Sequence, residues 1–268
     1  MPMTAQEQAP LSGTRPEGAQ DEREAAARVR DMFTRIAPRY DFLNHLLSFS
    51  MDHVWRRRTA KRFRPILRRP DARVLDLCCG TGDLAFALAA EREAGGASAA
   101  GGTQAQPTRV IGSDFVEAML ERASQKGRRN KHAAIFVAAD ALHLPLADAS
   151  FDLVTTAFGF RNLANYEHGL HEIARVLRKG GEAGILEFTE PRAGPMAALF
   201  RLYFRQILPR IGGAISGNSE AYAYLPGSVA KFPSPEEITA LMEKTGFKNV
   251  CIASWNFGSV ILYSARLA

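Results

Sequence analysis

The segment that most limits what this chain can fold into is Val74-Leu75-Asp76-Leu77-Cys78-Cys79-Gly80-Thr81-Gly82-Asp83-Leu84. A short apolar run passes into a loop with glycines at alternate positions and then directly into a helical pattern, which is the signature of a buried strand turning into a helix. Gly80 and Gly82 let the backbone approach a ligand at the carboxyl end of that strand. Further apolar runs follow at 109–115, 134–140, 151–158 and 182–188, each separated from the next by residues with helical spacing or by loops. Runs that are continuous rather than alternating belong to strands buried on both faces, and their alternation with helices predicts parallel βαβ units in a doubly wound sheet.

The C-terminal end breaks that rhythm. Ser234-Pro235-Glu236-Glu237 is a helix start with a capping box and Pro at the first helical position, and Ile238, Leu241 and Met242 form the stripe that the helix should bury before Gly246. Two β-rich runs, 248–255 and 259–265, are joined by a connection too short for a parallel crossover, so they must form an antiparallel hairpin. The predicted fold class is α/β: a Rossmann-like, mostly parallel seven-stranded sheet with an antiparallel C-terminal hairpin and helices on both faces, the topology of class I methyltransferases.

Upstream of the sheet, Val29, Met32, Phe33 and Ile36 mark a helix face from about Arg28, with a loop over Tyr40 to Ser48 and a second, basic helix over Trp55 to Arg69. Residues 1–22 contain few core formers and are expected to be a disordered tail, leaving 23–268 as a single domain. Within it, 28–72 should supply helices over the site, about 92–108 (Ala/Gly/Gln-rich) a flexible insertion, and about 190–230 a helical segment that covers the substrate.

Composition excludes several classes. At 46% hydrophobic and 23% charged residues the chain is globular. No window reaches the roughly 18 apolar residues a spanning helix needs, and the first twenty residues lack the pattern of a signal peptide, so a cytoplasmic protein is expected. Cys78 and Cys79 are adjacent and Cys251 stands alone, a spacing for neither zinc nor a disulfide framework, and no metal is expected. Net charge is +6, yet Arg56 to Arg73 alone holds nine basic residues against one Asp. That patch would suit nucleic acid, anionic lipid head groups, an acidic ligand, or simply a solvated helix face.

By spacing alone, Gly80-x-Gly82-x-x-Ala85 fits NAD as well as S-adenosylmethionine. Three carboxylates sharpen the choice. Asp76, near the end of the first strand, can accept from an amino-acid ammonium, which NAD lacks. Asp114 ends the second strand, where an acidic side chain takes ribose hydroxyls in either cofactor. Asp140 ends the third, in reach of an adenine amino group. The fourth strand leads into Phe158-Gly159-Phe160-Arg161-Asn162 at the same crevice edge. Arg161 keeps its proton and can stabilise an anion, whereas Asn162 can serve the site or cap the following turn. Asp152 is read as structural.

These motifs resemble the quinone C-methyltransferases of menaquinone and ubiquinone biosynthesis, over about residues 28 to 264. The resemblance rests on 33–58 (FTRIAPRYDFLNHLLSFSMDHVWRRR), 74–85, SDFVEAML at 113–120, FGFRN at 158–162, LEFTEP at 186–191, YAYLPGSV at 222–229 and FPSPEE at 232–237. It implies S-adenosylmethionine as cofactor, with Thr81, Asp114, and Asp140 with Ala141 among its contacts. Ser50, Cys78, Cys79 and Ala157 depart from the family's usual residues, and Ala157 removes one hydrogen bond to the cofactor that some relatives make. The implied reaction is transfer of a methyl group to a ring carbon of a prenylated quinol, most simply demethylmenaquinol. The benzoquinol step of ubiquinone biosynthesis is the alternative. Carbon attack needs a phenolate, for which Arg161 is the candidate stabiliser, while Tyr40, Asp41, His45 and His143 are the candidate bases. A quinol with a long tail implies peripheral contact with the membrane surface. The apolar seam Met196, Leu199, Phe200, Tyr203, Phe204, Ile207, Leu208 and Ile211, flanked by Arg201 and Arg205, suits a lid for the tail, a core helix or a homodimer interface. An RNA methyltransferase is disfavoured: FGFRN stands where base N-methylation uses a polar-Pro-Pro-aromatic motif, and no strand end provides the nucleophilic Cys of pyrimidine C-methylation. No nucleic acid partner is expected.

Overall fold

In the computed structural model, residues 13–95, 110–129, 134–191, 195–207, 210 and 219–268 are described. Seven strands form one sheet in the order β3-β2-β1-β4-β5-β7-β6: β1 Val74–Leu77, β2 Val110–Asp114, β3 Ala134–Ala138, β4 Phe151–Ala157, β5 Leu177–Phe188, β6 Phe247–Trp255 and β7 Val260–Leu267. The first five are parallel and β7 is antiparallel to both β5 and β6. Strand order reverses between β1 and β4, where a crevice must open at their carboxyl ends. β5 begins five residues before the expected run, because the Leu177–Gly181 segment reaches the sheet through a register shift opposite Phe151.

Helices α5 (Asp83–Ala94), α6 (Glu117–Arg129), α7 (Tyr166–Val176) and α10 (Pro235–Lys244) connect the strands, after α1 (Glu22–Ile36), α2 (Tyr40–Leu47), α3 (Met51–Arg62) and α4 (Arg64–Leu67). α8 (Pro195–Leu202), a π-helical turn (Tyr203–Ile207) and α9 (Ser219–Lys231) lie between β5 and α10. The capping box on Ser234 and Glu237 is present, and Ile238, Leu241 and Met242 are buried. No helix among the described residues is long and apolar enough to cross a membrane.

Four expectations change. Tyr40 to Leu47 is a helix rather than a loop, with Leu43 and Leu47 on its buried side. α1 starts at Glu22, six residues early, because the Asp21 side chain accepts from the Glu24 N–H as its N-cap. The supposed insertion cannot begin at 92: Arg92 is buried in α5 and donates to the carbonyls of Ala72 and Pro70, while residues 96–109 lie outside the described residues. The tail boundary also moves. Residues 1–12 lie outside the described residues, but Thr14 is buried and its N–H donates to the Leu163 carbonyl at 2.7 Å.

Four of the nine basic residues in 56–73 have carboxylate partners nearby. Arg56 pairs with Asp52, Arg62 with Glu182, Arg64 with Glu91, and Arg69 with Asp71 and Asp152, while Arg58 lies over the Trp255 ring. Asp152 is structural as expected, accepting from the Arg73 N–H and from Arg69 and Arg178.

Candidate active site

The crevice at the β1/β4 reversal is built from both strand ends and roofed by the N-terminal helices. β1 enters a tight loop in which Cys78 (φ +52°), Gly80 (φ +54°) and Gly82 (φ +87°) are all left-handed. A Cβ at Gly82 would stand 2.7 Å from the Phe136 ring, so glycine is required there by space as well as by conformation. Opposite, Phe158 is left-handed (φ +59°), and a Cβ on Gly159 would meet the Cys78 Cβ at 2.4 Å. The two strand ends are therefore in direct contact.

Asp76, Gly80, Thr81, Asp114, Asp140, Ala141 and Asn162 line one cleft together, with Ala26, Val29 and Phe33 of α1 and Tyr40 of α2 above them. Gly82 stands behind the loop as the N-cap residue of α5. Asp76 is fully buried. Its Oδ1 accepts from the Thr155 hydroxyl at 3.0 Å, its Oδ2 has no partner, and burial pushes its pKa up to about 7. Asp114 accepts from the N–H of Gly80 and of Val116, both at 2.9 Å, which ties the glycine loop to β2, and burial raises its pKa. Asp140 is more open and accepts from the Leu142 N–H at 2.9 Å. The Thr81 hydroxyl donates to Asp41 Oδ1 at 2.5 Å, and Lys126 joins Thr81, Asp41 and Asp83, fastening α2 to the loop.

A second cleft opens on the other side of Tyr40, Arg56 and Phe158, which line both. It is aromatic. Phe158 and Phe188 stack at 4.4 Å, Trp55 meets both edge-on at 5.8 Å, and Phe200, Tyr203 and Phe204 close it from the α8 side. Of the seam expected in 196–211, these three aromatic residues face the cleft; Leu208, Ile211 and the side chains of Met196, Leu199 and Arg205 lie outside the described residues.

Arg161 also lines this second cleft, but not as a free cation. It is 7% exposed, and its Nη1 donates to Glu187 Oε1 at 2.7 Å and to the Phe158 carbonyl. Glu187 is wholly buried and accepts in addition from the N–H of Arg161 and Phe188, so it clamps the Phe160–Asn162 turn to β5. Asn162 does not cap the next helix. Asn165 does, while Asn162 Oδ1 accepts from the Tyr224 hydroxyl at 3.0 Å.

The four candidate bases separate. His143 is exposed and lines neither cleft, and Asp41 is held by Thr81 and Lys126. Tyr40 lines both, and burial raises its pKa, so it keeps its proton. His45 Nδ1 lies 2.8 Å from Asp52 Oδ2, and Asp52 lines the second cleft; although burial works to raise it, the charge of Arg56 with the Ser48 hydroxyl and His45 holds its carboxyl below the usual range. Cys78 and Cys79 follow directly on β1, where the sequence reading expects no nucleophilic cysteine. Burial and the charges of Asp114 and Asp76 push both thiols well above their ordinary value, which makes them poor nucleophiles. Asp52, Arg56, Glu187 and Tyr224 were missed from sequence. Arg56 was counted only as part of a charge run.

The profile of the ubiE/COQ5 methyltransferase family matches residues 19–266. The chain belongs to that family. Family membership makes it an S-adenosylmethionine-dependent methyltransferase, and the cleft fits the cofactor: it carries a buried, unpartnered carboxylate oxygen on Asp76 beside the tight, left-handed Cys78–Gly82 loop. Among relatives, a demethylmenaquinone methyltransferase of Deinococcus radiodurans is 44% identical over 246 residues, covering 92% of each chain. A protein of the same name from Thermus thermophilus is 47% identical over 216 residues, 81% of this chain and 91% of the other. Among solved structures, a SAM-dependent methyltransferase of Thermotoga maritima superimposes with a TM-score of 0.60 at 19% identity, over 89% of this chain and 99% of that one. The cyclase SpnF does so with a TM-score of 0.61 at 15% identity, over 96% and 98%. Scaffolds this similar serve a methyltransferase and a cyclase, so the ubiE/COQ5 assignment rests on the family profile and the close relatives.

Proposed function

We propose that this chain methylates a ring carbon of a prenylated quinol, with demethylmenaquinol as substrate. The observation that carries the reading is the pair of clefts meeting at Tyr40, Arg56 and Phe158, one polar and built on the glycine loop, the other aromatic and shaped for a flat ring. The relatives named demethylmenaquinone methyltransferase favour the naphthoquinol over the benzoquinol.

In this reading Asp76 receives the ammonium of S-adenosylmethionine, Asp114 the ribose hydroxyls, and Asp140 with Ala141 the adenine, while Gly80, Thr81 and Gly82 let the backbone close on it. The bound cofactor supplies an electrophilic sulfonium methyl group. Arg161 lines the acceptor cleft, and Asn162, the next residue, lines the cofactor cleft beside it, so the pair stands where donor and acceptor meet. A phenol titrates near 10, and a neighbouring cation lowers that by about one to three units. Glu187 offsets part of the Arg161 charge, and Arg56, on the wall common to both clefts, is itself paired with Asp52 and Asp83, so Arg161 is the cation assigned to the phenolate. The quinol proton leaves by Asp52 and His45, the latter half-buried and open to solvent.

The mouth explains how an insoluble tail is reached. Phe42, Leu46 and Phe49 of the α2 region, with Leu202 within the lid and Ile207 just after it, are exposed large apolar residues, and the Phe49 ring lies 6.0 Å from Tyr203 of the cleft. We assign this rim to peripheral contact with the cytoplasmic membrane surface and the Phe200 to Phe204 stretch to the lid, in preference to a homodimer interface. The test is methyl transfer by purified protein to reduced demethylmenaquinone and, separately, to a demethylated 6-methoxy-benzoquinol, read as a 14-dalton mass gain. Faster turnover of the naphthoquinol is expected. Turnover of the benzoquinol alone overturns the substrate, and turnover of neither overturns the function.

A further inference from the structure

The N-terminal segment, expected to contribute nothing, is tied to the loop between β4 and α7. The Thr14 N–H donates to the Leu163 carbonyl, and Arg15 Nη1 donates to the Ala164 carbonyl, both at 2.7 Å. A Cβ at Gly13 would come within 2.2 Å of the Ala164 backbone, so only glycine lets the chain lie this close. Thr14 is 7% exposed, and its hydroxyl stands 2.9 Å from that of Tyr224. Tyr224 belongs to α9, lines the aromatic cleft, and donates its one hydroxyl proton to Asn162 Oδ1. Having spent that proton, Tyr224 can only accept from Thr14. The chain of donors therefore runs Thr14 to Tyr224 to Asn162, whose amide nitrogen points to the Phe158 carbonyl at 3.4 Å.

We propose that Thr14 is a positioning residue for methyl transfer: the Gly13–Arg15 strap acts through Tyr224 to fix the Asn162 amide and to hold α9 against the Phe160–Asn162 turn. The inference rests on the acceptor reading above, which gives Tyr224 its place beside the quinol, while Asn162 lines the adjoining cofactor cleft. Without the Thr14 donor, the Tyr224 hydroxyl is free to turn its proton elsewhere, and the Asn162 carbonyl loses its fixed partner. The hydrogen bonds of Asp76, Asp114 and Asp140 do not involve the strap, and its anchors on the cofactor cleft, the Leu163 and Ala164 carbonyls, are met by the Thr14 N–H and Arg15 and not by the Thr14 hydroxyl.

The experiment uses the full chain as wild type, Thr14→Val, Thr14→Ser, Tyr224→Phe and the Thr14→Val/Tyr224→Phe double variant. Turnover is followed with reduced short-chain demethylmenaquinone in detergent, and S-adenosylmethionine affinity by calorimetry. Thr14→Val is expected to lower kcat/KM for the quinol about five- to tenfold with cofactor Kd changed less than twofold, Thr14→Ser to recover most of the loss, and the double variant to be no worse than Tyr224→Phe. Wild-type kinetics in Thr14→Val, an equal loss in Thr14→Ser, or losses that multiply in the double variant would overturn the proposal. If the wild-type chain leaves the quinol unmethylated, the acceptor reading fails by itself. The thermal midpoints of wild type, Thr14→Val, Tyr224→Phe and their double variant still decide the strap: coupled shifts support it and additive shifts overturn it.

Discussion

Removing the Arg161 guanidinium separates its structural work from its chemical work. In Arg161→Met, Glu187 is left wholly buried with only the two backbone N–H groups of Arg161 and Phe188, and the Phe158 carbonyl loses a donor. Breaking one side of a buried ion pair costs about 3–5 kcal/mol, a large part of the roughly 5–15 kcal/mol that keeps a domain folded. At about 2–4 °C per kcal/mol for a chain of this size, the thermal midpoint should fall by roughly 6–20 °C. Arg161→Lys keeps a charge for Glu187 and should lose less, since Arg161 Nε has no partner to forfeit. Adding Glu187→Gln to Arg161→Met removes the stranded charge, and the midpoint should recover by more than half. Turnover should not recover with it, because the cation beside the acceptor is still missing. Differential scanning calorimetry and quinol turnover on the four proteins check both halves. An unchanged midpoint in Arg161→Met would refute the energetic reasoning, and a double variant with wild-type kcat would make Arg161 purely structural.

Asp114→Asn places an amide where two N–H groups now meet a carboxylate, so it should weaken S-adenosylmethionine by about 1.5–3 kcal/mol, roughly 10- to 150-fold; calorimetry on the folded variant showing an unchanged Kd would take Asp114 out of the site. Asp76 is neutral over much of the acid range, since its pKa of about 7 exceeds the unfolded value of 3.8. Its contribution to the stability of the unliganded chain is therefore greatest below pH 4 and lost as pH rises through 7, whereas affinity for the ammonium-bearing cofactor should fall as pH drops from 7 toward 5, approaching tenfold per unit. Asp76→Asn should flatten that profile, and a flat wild-type profile would contradict the assignment. Phe49→Glu, at a ring that is 77% exposed, should reduce flotation with anionic vesicles and leave cofactor affinity intact; undiminished flotation would remove Phe49 from the membrane surface.

All seven strands and the crevice position were legible because they depend on local signals: continuous apolar runs, a glycine loop where β1 turns into α5, and a connection too short for a crossover between β6 and β7. The carboxylates Asp76, Asp114 and Asp140 were legible for the same reason, as ends of adjacent parallel strands necessarily share one rim. Tertiary structure decided everything that depends on which charge meets which. Arg161 reads as an available cation until Glu187, 26 residues later, neutralises it across the β4–β5 pair. Arg56 is indistinguishable from its basic neighbours in sequence, and only the crossing of α3 over the crevice buries it between Asp52 and Asp83. Thr14 sits in a stretch with few core formers, so composition assigns it to a loose tail. Its order comes from partners up to 210 residues away, Leu163 and Tyr224, which no periodicity can reveal. Sequence patterning records the burial of each element against its own period; pairings between distant polar groups leave no periodic trace and exist only once the chain has closed.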